Sequence, residues 1–362
     1  MRAERALALV ASLCALSLLG ALQEPKPDTD TRAEHVFKNI QLFKGQPAPE
    51  IGHAMNFMTA ALGVNCEFCH VRSSEGKWSF EKDDKDEKQT ARKMILMTRK
   101  INEENFDGSN VVTCASCHNG RHSPVPVPPL PVPASSDKRP EGAPPTVEEI
   151  LGGYEQALGG HTGLEAVKSR ILRGTVTSRG KTQDLEIDSG GGRIAIVTRG
   201  PDGAASEVYD GTSGWMAGPH GIGPVREGPD LDTLKRASDL QGDLKLKASF
   251  PEIGYGGRAK VGDKEAIVLK LDDKSRTSAR LFFDPETHLL LRRVVYFATI
   301  LGKLPEQTDY ADYRVVAGTK VPFHEELLHA WGTEVRTWKE VQTNVPLDEK
   351  VFQKPEAPAP KS

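Results

Sequence analysis

Cys66-Glu67-Phe68-Cys69-His70 and Cys114-Ala115-Ser116-Cys117-His118 are two copies of one word, C-x-x-C-H, and they decide how the front of this chain is built. Two thiols three positions apart stand on one helical turn, and the imidazole that follows reaches out from the same side. That is the attachment word of a c-type haem, in which each thiol adds across a vinyl group and the histidine binds the iron. Each word supplies two covalent anchors, Cys66 with Cys69 and Cys114 with Cys117, and one axial ligand, His70 or His118. With five Cys and ten His among 362 residues, chance is a poor source of two copies. A thioredoxin-like C-x-x-C or a four-cysteine zinc site is the alternative, but each pair runs straight into His and neither lies in a βαβ pattern.

Working outward, the segment before the first word is helical. Glu34 to Phe43 carries Val36, Ile40 and Phe43 at helix spacing, and Pro47 to Leu62 carries Ile51, Met55, Met58, Thr59 and Leu62 on one stripe. A third helix is expected over Lys88 to Asn102, with Met94, Met97 and Ile101 on one face and the charged run Glu81 to Lys88 as a solvated connection. Each iron needs a sixth ligand unless its site is built to bind something else. Met55 and Met58 precede the first word, and Met94 and Met97 precede the second. Methionine is also a common filler of helical cores, so each pair is read as one ligand and one packing residue. Thioether ligation raises the reduction potential and closes the iron to substrate. His35, His53 and His122 are the competing ligands. So little apolar sequence makes a marginal core alone, and two porphyrins would supply much of it.

The N-terminus places this chemistry outside the cytoplasm. Arg2 and Arg5 precede an apolar run from Ala6 to Leu22, read as a secretory signal over residues 1–22 that delivers the chain to the periplasm, with an uncleaved membrane anchor as the alternative. Cys14 lies inside that run, so every other cysteine belongs to a haem word. The formal net charge of −3 shows no basic stripe, which argues against a nucleic-acid partner. Nine prolines between Pro124 and Pro145 mark a linker over residues 123–146, and Pro124 to Pro133 as polyproline II would span about 30 Å.

Beyond the linker, Thr146-Val-Glu-Glu149 is a capping box for a helix bearing Ile150, Tyr154 and Leu158. Strands then follow one another: Gly174 to Ser178, Asp184 to Ile187, Arg193 to Thr198, Glu207 to Tyr209, Gly214 to Met216, Ala266 to Leu271, Arg280 to Phe283, Leu289 to Phe297, Gln307 to Val315 and Val335 to Val341. The turn words Asp210-Gly211, Asp284-Pro285 and Ala317-Gly318 separate several of them. The histidines of this half, His161, His220, His288, His324 and His329, have no metal-ligand spacing, and no nucleophile motif has a placed base. The fold class that results is multidomain α + β. A small, mostly helical dihaem domain over 31–122 is joined by the linker to an antiparallel β half-barrel over 147–353, with a tail over 354–362.

Met55-Asn-Phe-Met-Thr-Ala-Ala-Leu-Gly-Val-Asn-Cys-Glu-Phe-Cys-His70, Lys93-Met-Ile-Leu-Met-Thr-Arg-Lys-Ile-Asn102 and Val111-Val-Thr-Cys-Ala-Ser-Cys-His-Asn-Gly120 together resemble the cytochrome c subunit of photosynthetic reaction centres. In that family each haem is built as a helix carrying Met, a turn and then C-x-x-C-H. The resemblance, over about residues 33–122, implies Met55 as axial ligand of the first haem, eleven residues before Cys66, and Met94 as that of the second, twenty before Cys114. The family's full subunits carry four haems, one of them ligated by a His from the loop after a Met helix; here that loop, Asn105-Phe-Asp-Gly-Ser-Asn110, has no His. The resemblance thus implies a two-haem relative that passes electrons between envelope proteins, a donor and an acceptor, alone or within a membrane-associated complex. Tyr209-Asp-Gly-Thr-Ser-Gly-Trp215, Leu281-Phe-Phe-Asp-Pro-Glu-Thr-His-Leu-Leu-Leu291 and Asp309-Tyr-Ala-Asp-Tyr313 resemble the outer-membrane lipoprotein carrier superfamily, which implies an open half-barrel with an apolar groove and a hydrophobic ligand. Three functions follow: an electron carrier, which is not an enzyme; a dihaem peroxidase-type enzyme, in which one iron would have to lose its sixth ligand; and a lipid or lipoprotein carrier with a redox module.

Overall fold

The computed structural model describes residues 32–126 and 143–355, apart from 220, 224, 275, 276 and 331 and the side chain at 229. The signal assigned to residues 1–22, Cys14, His220, most of the linker and most of the tail lie outside the described residues. In the first part, helices α1 (Ala33–Val36) and α2 (Ala48–Leu62) lead into a 3-10 turn, Cys66–Phe68. A small antiparallel pair follows, β1 (Val71–Arg72) and β2 (Trp78–Ser79), then α3 (Asp86–Asn105) and α4 (Cys114–His118). The second part opens with α5 (Val147–Leu158) and α6 (Gly160–Glu165). Six strands come next, β3 (Ser169–Ser178), β4 (Lys181–Gly190), β5 (Arg193–Gly200), β6 (Gly203–Tyr209), β7 (Gly214–Gly218) and β8 (Gly221–Ile222). Helices α7 (Gly228–Ser238) and α8 (Leu246–Ser249) precede seven more, β9 (Glu252–Val261), β10 (Lys264–Asp272), β11 (Thr277–Phe283), β12 (Leu290–Thr299), β13 (Gly302–Val316), β14 (Thr319–His329) and β15 (Gly332–Thr343).

β3 to β15 form one antiparallel sheet of 13 strands in the order β8-β7-β6-β5-β4-β3-β15-β14-β13-β12-β11-β10-β9. It is two meanders joined where the last strand pairs with the first, Val335 opposite Thr177, and it stays open, with β8 and β9 as its edges. Alternation sets the buried face: Thr277, Ala279, Leu281 and Phe283 of β11 all point inward. Helix α5 covers that region with Ile150, Tyr154 and Leu158, the Tyr154 ring meeting Phe283 edge-on at 5.1 Å. Leu234 of α7 packs on Val176, Leu185, Ile187, Phe323 and Trp338. Thr146 caps α5, its backbone N–H donating to Glu149 Oε2 at 2.8 Å while its own hydroxyl accepts from the Glu149 N–H at 3.2 Å. Among the described residues no helix is long and apolar enough to cross a membrane.

All ten strands expected from the sequence are present. Two more long ones, β9 and β14, and helix α7 were not legible. Gly254, Gly256 and Gly257 hide the alternation of β9, whose pairing with β10 shifts register between Val268 and Leu269. In β14, Pro322 argues against a central strand; it is accommodated opposite Tyr313, beside Asp312, whose φ of +53° interrupts the neighbouring strand. The helix expected over Glu34 to Phe43 is a four-residue turn, Ala33–Val36. The chain reverses at Asn39, φ +60°, and only Ala33 and Phe43 of this stretch are buried, so no apolar stripe holds a longer helix in place. Helix α2 runs as expected, and α3 begins two residues early, inside the charged run.

The two parts share a core. Ala33, Phe43, Ile51, Ala54, Phe57, Ala61 and Ile95 of the first part enclose Leu301 and Leu304 from the β12–β13 hairpin. Gly302, at φ +147°, lies under Phe57: a Cβ there would come within 2.8 Å of the ring and 3.0 Å of Thr113 Cγ2. The hairpin can insert only because position 302 has no side chain.

Candidate haem-attachment site

Each C-x-x-C-H word is one turn of backbone. In the first, the Cys69 and His70 N–H groups both donate to the Cys66 carbonyl, at 3.3 and 2.9 Å, so both thiols and the imidazole leave one turn. The second is α4 itself, begun by the Thr113 N–H donating to Ser116 Oγ at 3.1 Å and ended by Asn119 and Gly120, both at positive φ. The four cysteines are free thiols. Cys66 and Cys117 are exposed and Cys69 and Cys114 half-buried, and burial pushes the Cys69 and Cys114 pKa values up, which keeps those sulfurs protonated.

Two contacts fix the second word against the helices. Asn102, buried near the end of α3, donates to the Val112 carbonyl at 2.7 Å and accepts from the Val112 N–H at 2.9 Å. The Gly120 N–H donates to the Ala61 carbonyl at 2.9 Å, and Cys114 packs on the cluster that also holds Met55 and Met58. Gly63 permits this approach, since a Cβ at its position would overlap the Gly120 carbonyl. Sequence reasoning missed Asn102, whose one signal is a short amide among the apolar positions of a helix.

The two histidines differ. His118 Nδ1 lies 2.9 Å from the Arg121 carbonyl. A carbonyl only accepts, so Nδ1 carries the proton and the Nε2 lone pair is left for a metal. The ring of His70 stands edge-on to Phe80 at 5.1 Å, and Phe80 stacks on Trp78 at 5.2 Å. Its Nδ1 is buried and no acceptor closes a hydrogen bond on it. Burial, and then the Lys88 charge, lower the His70 pKa. An open cleft of about 460 Å³ has His70, Val71, Arg72, Ser73 and Lys85 in its wall.

Helices α2 and α3 each bury a different stripe from the one expected. In α2 the buried residues include Ile51, Ala54, Phe57 and Ala61, while Met55, Met58, Thr59 and Leu62 are only half-buried. In α3 they are Ile95, Thr98 and Asn102; Met94 and Ile101 are half-buried and Met97 is 43% exposed. Small Ala54 and Ala61 let α4 and the hairpin close on one side of α2, and the polypeptide covers the methionine side of both helices only in part, with Met97 the exposed one of the four. Eight of the ten exposed large hydrophobics among the described residues, Val36, Phe37, Phe80, Leu96, Met97, Phe106, Val111 and Val125, also lie in this smaller part. Free thiols on single turns, an imidazole with a fixed tautomer and half-covered apolar helix faces all fit covalent haem.

Of the competing ligands, His53 Nε2 is 3.8 Å from Asp230 Oδ1 on α7, His35 is exposed, and the His122 ring lies 5.9 Å from that of Phe68. In the second part, His161 sits between Glu155 and Glu165 at 3.2 and 3.3 Å. Among the described residues no three His, Cys, Asp or Glu side chains group as a metal-ion site. A second cleft, about 760 Å³, crosses β9 to β13 and is lined by Lys270, Asp272, Arg280, Tyr296 and Lys303 among others. Its wall mixes these charged side chains with Pro251, Ile253, Leu271 and Ala279, and the inner face of the sheet is filled by α5, α7 and α8.

Residues 7–137 match the family model described as the photosynthetic reaction centre cytochrome C subunit. Cytochrome c-554 of Chloroflexus aurantiacus is 34% identical over 88 residues, which take in 22% of this chain and 20% of that protein. The chain thus spans about a fifth of that relative's length. Both matches are to cytochromes of the c type. Among solved structures, a LolA superfamily protein from Nitrosomonas europaea is similar over 58% of this chain and 99% of its own, at 14% identity and a TM-score of 0.40. A DUF1329 family protein from Desulfovibrio piger is similar over 57% of this chain and 97% of its own, at 11% identity and a TM-score of 0.42.

Proposed function

We propose that this chain is an electron-transfer protein of the cell envelope that carries two covalently attached haem c groups. Cys66 and Cys69 would hold the first, with His70 and Met55 as axial ligands, and Cys114 and Cys117 the second, with His118 and Met94. The observation that carries this reading is the conjunction of two one-turn C-x-x-C-H words with two helices whose methionines, Met55, Met58, Met94 and Met97, are none of them fully buried by the polypeptide. When bound, the groups supply a one-electron couple. The protein's own residues would anchor them through thioethers and fix the imidazole tautomer at His118. Met55 and Met94 as ligands would leave neither iron open, which would oppose peroxide or substrate chemistry. The partners are redox proteins of the envelope, one donor and one acceptor.

A spectroelectrochemical titration of the haem-loaded protein, with and without cyanide or carbon monoxide, tests this. Two low-spin haems per chain that ignore the added ligand are expected. One haem that turns high-spin or binds the ligand would replace the reading with a catalytic or sensing one.

A further inference from the structure

The two words differ in what surrounds the histidine. His118 Nδ1–H donates to the Arg121 carbonyl at 2.9 Å, and such a bond makes the imidazole a stronger electron donor, which favours the ferric state of the metal it ligates. The acceptor is held in place from a distance. Arg121 follows Gly120, whose N–H is tied to Ala61, and the loop lies against Gly63 where no Cβ would fit.

His70 is set up in the opposite sense. Its Nδ1 is buried and closes no hydrogen bond of normal geometry; the acceptor beside the ring is the Phe80 carbonyl. That carbonyl also accepts from Lys88 Nζ at 2.9 Å, which makes it a poorer acceptor for the ring, and Lys88 further bonds the Lys82 carbonyl at 2.6 Å and Asp83 at 2.9 Å. Lys88 is only 12% exposed, and Asp83 is shared with Arg92 at 2.8 Å, so one carboxylate faces two cations and a net positive charge remains. Lys85 is close as well, donating to the Glu67 carbonyl. The other nearby charges cancel or are solvated: Glu67 pairs with Arg72 at 3.1 Å, and Glu87, near Cys69, is exposed. A less basic ligand beside fixed positive charge favours the ferrous state.

We propose that the two sites are unequal by construction: the iron on His70 has the higher reduction potential and the iron on His118 the lower, with Lys88 and Gly63 as the positioning residues that set the difference. This rests on the dihaem reading above. At equilibrium a single electron on the protein then resides on the His70 side by at least about tenfold, a separation of about 59 mV for a one-electron couple.

The test is a potentiometric titration of the full-length haem-loaded chain and three variants, after haem content has been counted. Lys88→Gln is expected to lower the upper step and leave the lower one in place, and Lys88→Arg, which keeps the charge, to restore it. Gly63→Ala, which displaces the 120–121 loop, is expected to raise the lower step alone. Proton NMR of the unmutated ferric protein gives a second readout, with one slowly exchanging imidazole N–H, that of His118. Coincident steps, a Lys88→Gln effect on the lower step, or a slowly exchanging N–H on His70 would overturn the proposal while leaving the dihaem reading intact. Fewer than two haems per chain would sink that reading itself.

Discussion

Gly302→Ala should uncouple the haem-bearing part from the sheet. Position 302 combines a φ of +147° with a Cβ direction that points into Phe57 at 2.8 Å and Thr113 at 3.0 Å. Backbone strain there costs about 1–3 kcal/mol, and overpacking a filled core about 1–3 kcal/mol more. Against a total stability of about 5–15 kcal/mol, that is a large loss. Gly108→Ala is the control: φ is +75° but a Cβ would meet nothing within 4 Å, so only the left-handed backbone cost of about 1–2 kcal/mol applies. Urea titrations of the haem-loaded protein, followed by Soret absorbance for the first part and far-UV circular dichroism for the sheet, separate the two. With m of about 2 kcal/mol per M, the Soret midpoint of Gly302→Ala should fall about 1 M below that of Gly108→Ala, and the sheet signal should move less. Equal Soret midpoints for the two variants would refute a shared core.

Three further outcomes are expected. Met55→Ala and Met94→Ala should each abolish one weak thioether-to-iron absorption band and lower the potential of one haem; if Met58→Ala or Met97→Ala did so instead, the ligand lies one turn along its helix. Asn102→Ala removes both hydrogen bonds that hold Val112 and should cost about 1–3 kcal/mol in thermal unfolding, with haem lost from the second word before the first. Asp188 is buried with Oδ1 unpartnered, and burial first, then Glu186, push its pKa up to about 6. The folded state holds the extra proton between the unfolded value of about 3.9 and that point, so stability falls as pH rises through this window. Asp188→Asn should therefore stabilise the protein by about 1–3 kcal/mol at pH 8 and give no gain below about pH 4, measured by denaturant titration at both values.

Much of this was legible locally. A C-x-x-C-H word needs no tertiary partner, because the chemistry fixes the spacing of its three side chains along one turn, and the structure builds both words as single turns. The capping box at Thr146 and the alternation of strands such as Thr277–Phe283 are equally short-range, which is why α5 and ten strands could be read off before any fold was known. Where local pattern and tertiary demand conflict, the reading failed: Pro322 sits in a strand beside an interrupted neighbour, and three glycines pass as a turn in β9.

The amino-acid sequence alone therefore determined the haem words, the methionine pairs and an antiparallel sheet behind a proline-rich stretch. Only the tertiary structure decided which stripe of α2 and α3 is buried. The stripe that looked like core, Met55 with Met58 and Met94 with Met97, is only partly covered, because the hairpin more than two hundred residues away packs on Ala54, Phe57 and Ile95 instead. The acceptor for His118, the poorer acceptor at His70 and the glycine under Phe57 belong to the same class. Each depends on a contact between segments that no local periodicity relates, so it exists only once the chain has closed on itself.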